Sequence, residues 1–293
     1  MSLPFDSVCL QCHLNRSLET ARKLGTEEQA MAFARELMQI YCNAAPEKAS
    51  PWISLEANTL LNRFYCIDGD RFAQEKQESN AFVMARLEQI REKVESAADP
   101  VLAGLRFSIL GNYIDFSALQ GEVSFEKLDA MLEDALEMPL DTRVYRDFCR
   151  ELEHGKNLLY LTDNAGEIGF DRIFAEQIQK RYPHLSITFC VRGGNTQNDA
   201  TRADAEAVGI PFPVIDNGNL VAGTVIDLLS PEARAAMDSA DVILSKGQGN
   251  VETLLGCGYN IYYAFLVKCA RFIRRFEKPK LTPMFVRERT QAK

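Results

Sequence analysis

The run LLYLTDNAGEIGFDRIFAEQIQKRY, residues 158–182, is a short apolar stretch, then a polar turn, then a segment of helical character. Its first five residues, LLYLT, are too short and too uniformly apolar for a surface helix and suit a strand buried on both faces. GFDRIFAEQIQKRY then reads as the helix that returns the chain. The same alternation recurs at ITFCV (187–191), FPVI (212–215), VILS (242–245) and YYAFLV (262–267). Apolar runs separated by helices imply a mostly parallel sheet with helices on both faces. The expected fold is therefore α/β, a Rossmann-like three-layer α/β/α domain.

Upstream the period changes. In EEQAMAFARELMQIY, Ala30, Phe33, Ala34, Leu37 and Tyr41 fall on one helical stripe. Comparable periodicity runs through WISLEANTLLNRFY (52–65), NAFVMARLEQIREKV (80–94) and, after the break at Asp99-Pro100, PVLAGLRFSILGNYI (100–114). We expect an α-helical domain over residues 1–140 and the α/β domain over 141–293.

Bulk properties exclude several classes. Hydrophobic residues at 46% and charged residues at 25% describe an ordinary globular chain. The net charge of −8 and the lack of a long Lys/Arg block argue against a nucleic-acid partner. RFIRRFEKPK (271–280) comes nearest and reads instead as the solvated face of a helix. No run approaches the ~18 apolar residues of a membrane span, and MSLPFDSV lacks the features of a secretory leader, so a cytoplasmic location is expected and no membrane partner. Eight cysteines are then expected to be mostly reduced.

Ligands of open parallel sheets sit beyond the carboxyl ends of the strands, so residues closing each apolar run come first. Asp163-Asn164-Ala165-Gly166-Glu167 follows the first run and offers a carboxylate beside a carboxamide, oxygen donors suited to a divalent metal ion such as Mg²⁺ or Mn²⁺, with Co²⁺ and Ni²⁺ compatible. Arg192-Gly193-Gly194-Asn195 follows the second, with Asp199 as a further carboxylate. Taken singly, both segments are equally ordinary helix caps and turns. Lys246-Gly247-Gln248-Gly249-Asn250 follows the fourth run and opens a helical segment, where free N–H groups and a lysine make an anion site. It is neither a dinucleotide fingerprint, because Glu252 replaces the third glycine, nor a Walker loop, because the lysine precedes the glycines. Metal-type carboxylates and a phosphate-type cradle at one sheet edge point to phosphoryl chemistry.

These segments in order, LLYLTDNAGEIGFDRI, VRGGNTQNDATRADA and ILSKGQGNVETL, resemble the damage-control phosphatase-like family, also catalogued as domain of unknown function 89. The likeness extends to Cys9-x-x-Cys12, to Asp70-Arg71-Phe72 with Lys76 and Asn80, to Gly111-Asn112-Tyr113-Ile114-Asp115, and to Lys268-Cys269. The resemblance implies a helical region packed on a Rossmann-like domain and metal-dependent hydrolysis of phosphomonoesters of small metabolites: sugar phosphates, nucleotides or phosphopantetheine-like compounds. It further implies Asp163, Asn164 and Asp199 as metal ligands and Lys246 and Asn250 on phosphate. The expected catalytic set is Asp163, Asn164 and Lys246, with Glu167, Arg192, Asn112 and Asp115 joining Lys246 and Asn250 at the substrate. The Cys9-x-x-Cys12 pair is similar to the family's mainly prokaryotic branch. Asn195 and Arg71 stand where family members commonly carry proline.

The rival readings are narrower. A haloacid-dehalogenase-type nucleophile fails because Ala165 breaks its Asp-x-Asp pattern, and a serine hydrolase fails for want of a G-x-S-x-G elbow. A non-catalytic phosphometabolite-binding regulator, which needs no metal, and a Rossmann-like methyltransferase are the alternatives that phosphate release separates.

Overall fold

The computed structural model describes residues 3–115 and 123–288. Its sheet has strands β1 (Asn157–Leu161), β2 (Ser186–Val191), β3 (Val214–Asp216), β4 (Val242–Lys246), β5 (Ile261–Leu266) and β6 (Pro283–Arg287), in the spatial order β3-β2-β1-β4-β5-β6. The first five are parallel, as the apolar runs require, and β6 adds antiparallel to β5. That sixth strand escapes sequence reading because PMFVR is short and opens on proline, which a sheet admits at an edge.

Strand parity sorts the interior into two layers. Leu158, Tyr160, Phe189, Val242, Leu244 and Tyr262 face one core, while Leu159, Leu161, Cys190, Ile243, Ile261 and Tyr263 face the other. The second core is covered by α11 (Pro231–Ser239), α12 (Gly247–Leu254) and α13 (Ala270–Phe276). Phe272 and Phe276 of α13 pack on Phe265, so the basic RFIRRF segment is a helix with a buried aromatic face.

The first core continues across residue 140. It takes in α4 (Ala73–Met84), α5 (Leu87–Glu95), α6 (Pro100–Gly111), α7 (Phe125–Glu133), α8 (Thr142–His154), α9 (Glu167–Arg181) and α10 (Arg202–Ala207). Helices α4 to α7, upstream of residue 140, therefore share their apolar interior with the sheet. Asp99 caps α6 through the Leu102 amide, with Pro100 at its start, which explains the break in periodicity there. The segment read as one helix over 80–94 is divided between α4 and α5, where Arg86 turns back to the Phe82 carbonyl and pairs with Asp129 at 2.6 and 2.8 Å. Helices α1 (Ser7–Leu24), α2 (Glu27–Asn43) and α3 (Ser50–Phe64) keep a smaller core of their own around Phe33, Leu37, Leu60 and Leu61. None of the described helices is long and apolar enough to cross a membrane.

The α6–α9 contact sets how close the helical region comes to the sheet. Gly104 of α6 is buried, and a Cβ there would stand 3.0 Å from the Phe174 Cα of α9. Gly104→Val should therefore destabilise the protein by ~1–3 kcal/mol, as overpacked cores do, read as a lowered urea midpoint at unchanged slope.

Candidate active site

The sheet order reverses between β1 and β4, which lie side by side. Their carboxyl ends frame the crevice in which doubly wound sheets bind ligands. Backbone pairing draws the two acidic loops together there. The Ala200 amide donates to the Asp163 carbonyl at 2.7 Å, the Ala165 amide donates to the Asn198 carbonyl at 2.8 Å, and Asn164 bridges to Asp199. Asp163, Asn164 and Asp199 thus line one cavity of about 400 Å³.

Two glycines make this approach possible. Gly166 has φ +76° at the start of α9, where its amide takes the Asn80 Oδ1 at 2.7 Å. Asn80 also donates to Asp204, which Lys76 holds at 2.7 Å, so the Lys76 and Asn80 string braces both loops from α4. Gly247 has φ +77°, and a Cβ on it would sit 1.9 Å from Asp163 Oδ2. A side chain cannot occupy that space.

The expected anion-binding residues are placed differently. Lys246 Nζ is fully buried and donates to the Ser108 carbonyl at 2.8 Å, Glu167 Oε1 at 2.8 Å and Asp171 Oδ1 at 2.7 Å. Its three protons are thereby committed to protein partners, and it lies beneath the cavity rather than on its wall. Strand parity is the reason: Lys246 follows Val242 and Leu244 onto the face covered by α6 and α9. Asn250 is likewise buried, donating to the Thr162 and Lys246 carbonyls and accepting from Thr224 Oγ1 and Arg192 Nη1. Neither residue lines the cavity.

Glu167 and Asn112 form a layer beneath the acidic loops. Asn112 Nδ2 reaches Asp163 Oδ2 at 3.0 Å and both Glu167 oxygens, while its Oδ1 accepts from the Leu266 amide at the end of β5. Arg192 donates through Nε to Asp199 Oδ2 at 2.6 Å, and its Nη2 stands 3.7 Å from Asp163 Oδ1 without a hydrogen bond. Asp115 alone of the expected substrate contacts lines the cavity, where Lys268 Nζ meets it at 2.6 Å.

Lys268, named in the sequence only as part of the Lys268-Cys269 likeness, is one of the cations lining the cavity, with Arg16, Arg271 and Lys280. Its side chain is fully buried, it follows β5 directly, and its amide takes Gln248 Oε1 at 2.5 Å. The strand-end rule carried to the fifth run picks it out. Helix α1 supplies the opposite wall through Cys9, Cys12, His13 and Arg16, and no disulfide joins the described cysteines. His13 is buried with Nε2 at 2.9 Å from Ser50 Oγ.

The electrostatics are those of crowded carboxylates. Burial, then the charges of Glu167 and Asp199, hold the Asp163 carboxyl well above its ordinary range. Burial pushes Asp199 up to about 6 despite Arg192. Two carboxylates and one carboxamide oxygen on one wall, with negative charge in excess, fit a hard divalent cation that keeps several waters. The donor set holds no histidine or cysteine, and among the described residues no group of three or more His, Cys, Asp or Glu side chains suits a metal ion.

Fold and site together define an α/β protein with an acid-walled ligand cavity at the switch point of a doubly wound sheet. The chain belongs to the damage-control phosphatase ARMT1-like domain family, whose model matches residues 5–281. It is 32% identical over 285 residues to a damage-control phosphatase of Pyrococcus horikoshii, covering 93% of this chain and 94% of the relative. A damage-control phosphatase of Archaeoglobus fulgidus is 31% identical over 257 residues, covering 84% and 86%. A crystal structure of a DUF89 family protein from P. horikoshii superposes with a TM-score of 0.84 at 26% identity, covering 98% of this chain and all of that one.

Across the cavity, Glu252 lies 3.2 Å from Arg271 Nη1, yet burial outweighs the guanidinium and pushes its carboxyl from 4.5 up to about 7. The folded protein keeps that proton while the unfolded chain releases it. The associated stability is therefore full below the unfolded value and lost as pH rises through about 7. Glu252→Gln should remove ~3 kcal/mol of the fall in unfolding free energy across this range, measured by urea titration at a series of pH values.

Proposed function

We propose that the chain is a divalent-metal-dependent phosphatase acting on phosphomonoesters of small metabolites. The observation that carries this reading is the meeting of Asp163, Asn164 and Asp199 on the wall of one cavity with Lys268, in a chain that relatives named as damage-control phosphatases match along most of its length. Asp163, Asn164 and Asp199 would hold Mn²⁺, Co²⁺, Ni²⁺ or Mg²⁺. When bound, the ion supplies charge neutralisation at phosphate oxygens and acidifies a coordinated water.

The remaining work falls to the chain. Lys268 is the residue we assign to the transferred phosphoryl group, in place of Lys246, because it lines the cavity and Lys246 does not, and its charge would grow in importance as negative charge develops there. Asp115 holds that ammonium at 2.6 Å and fixes its direction. Arg192, buried between Asp199 and Asn250, restrains the Asp199 carboxylate from behind. Gly247 and Gly249 bring the first turn of α12 to the cavity, where Gln248 and Gly249 form part of its wall. The alcohol leaving group would extend toward α1, whose side chains close the far side.

Purified protein supplied with each of the four metals should release inorganic phosphate from a panel of sugar phosphates, nucleotides and phosphopantetheine-like esters. Asp163→Ala should lower kcat/KM by at least ~100-fold, since losing a ligand removes electrostatic stabilisation of the transition state. Lys268→Met should do likewise while leaving metal binding in place. No phosphate release with any metal, or full activity in Asp163→Ala, would overturn the assignment.

A further inference from the structure

The buried layer under the cavity decides how the carboxamide of Asn164 is turned. A carboxamide has one acceptor end and one donor end, and its choice between them follows from its neighbours. Asn164 Nδ2 donates to Asp163 Oδ2 at 2.8 Å and to Glu167 Oε2 at 2.7 Å. Its Oδ1 is thereby turned to the other side, where Asn198 Nδ2 meets it at 2.9 Å.

Glu167 can impose this direction because both of its oxygens are acceptors and both are engaged. Oε2 takes the Asn164 side-chain amide, and Oε1 takes the Lys246 ammonium at 2.8 Å. Lys246 is held in turn by the Ser108 carbonyl and by Asp171 Oδ1, on which Ser108 Oγ at 2.7 Å and Tyr160 OH at 2.8 Å also converge. Every one of these groups is buried. The chain of contacts runs from the strand β4 lysine to an expected metal ligand without touching the cavity.

We propose that Lys246, anchored by Asp171, is a positioning residue: it fixes the orientation of Glu167, which presents the carboxamide oxygen of Asn164, and not its amide nitrogen, to the divalent metal. The proposal rests on the metal-dependent reading above. It assigns the lysine of the glycine-rich loop to ligand orientation rather than to phosphate.

The chemistry gives a reciprocal test. Glu167→Gln replaces two acceptors by one acceptor and one donor. With Lys246 present, the new oxygen is drawn to the ammonium and the new amide opposes Asn164 Nδ2, so Asn164 loses its orientation. Mn²⁺ affinity of the otherwise folded protein, measured by calorimetric titration without substrate, should fall ~10- to 100-fold, the range for partners that orient metal ligands. Adding Lys246→Met to Glu167→Gln frees the glutamine to turn. Its oxygen can then serve Asn164, because no ammonium competes for it, and the double variant should bind Mn²⁺ more tightly than Glu167→Gln alone.

Far-UV circular dichroism checks folding. Should the double variant not fold, Lys246→Met alone carries the decision: it should lower Mn²⁺ affinity, and unchanged affinity overturns the role of Lys246. Unchanged Mn²⁺ affinity in Glu167→Gln, or a double variant weaker than the single one, overturns the positioning role while leaving metal dependence intact. Wild type that binds none of Mn²⁺, Co²⁺, Ni²⁺ and Mg²⁺ overturns both. Wild type that binds Mn²⁺ but releases no phosphate overturns the phosphatase reading, and the same titrations still decide the role of Lys246.

Discussion

The ammonium of Lys246 lies with no exposed surface at the centre of the molecule, between Glu167 and Asp171 of α9 and the Ser108 carbonyl of α6. Removing a charge from water costs several kcal/mol after relaxation, and only close, well-directed partners offset it. The position of β4 relative to α6 and α9 is therefore tightly specified by a requirement that apolar packing alone does not impose. Burial opposes the charge on Lys246, but Asp171 and Glu167 together hold it above the ordinary lysine range. Asp171 shows the strain of the arrangement from the other side: burial raises its carboxyl to about 6 even with the ammonium 2.7 Å away. One cation serves two carboxylates, and a net negative charge is left under the site.

That residual charge connects the interior to the chemistry. Asp163 sits above Glu167 and beside Asp199, and the guanidinium of Arg192 approaches it no closer than 3.7 Å. A pocket built this way is unfavourable for its own carboxylates, and the same electrostatics would favour the divalent cation proposed for it. Stability is given up at the cavity wall, and the surrounding apolar cores on both faces of the sheet allow it. Gly247 belongs to the same economy of space, because its missing side chain is what lets Asp163 lie against the end of β4.

Reading the sequence recovers what period and chemistry encode locally. Apolar runs locate five strands to within a residue or two, since strands buried on both faces tolerate little else. The meeting of Asp163, Asn164 and Asp199 at one cavity is legible because all three follow strand ends at one edge of a doubly wound sheet. The direction of Lys246 was also written in the sequence, as its even-numbered kinship with Val242 and Leu244, but which face carried the cavity was not. Parity distinguishes two faces without saying what covers each. The wall formed by α1 was illegible for a related reason: its amphipathic stripe specifies that a face is buried, while its partner is chosen by long-range packing through Arg271, which reaches the Pro4 carbonyl and Cys9.

The division of the cavity between two parts of the chain limits what kinship can transfer. The acidic loops, Gly247 and Lys268 lie at the carboxyl ends of the strands, where their positions follow from the sheet topology. The far wall comes from α1 and α3, through Gln11, Asn15, Arg16, Ser50 and Ser54. These helices rest on a small separate core, so their surface residues can change without disturbing the sheet or the buried ammonium. The proposed reaction class and its leaving-group preference would thus rest on different structural layers. A relative that superposes along nearly the whole chain at 26% identity has the same fold, and a shared fold does not by itself carry over the side chains of either layer.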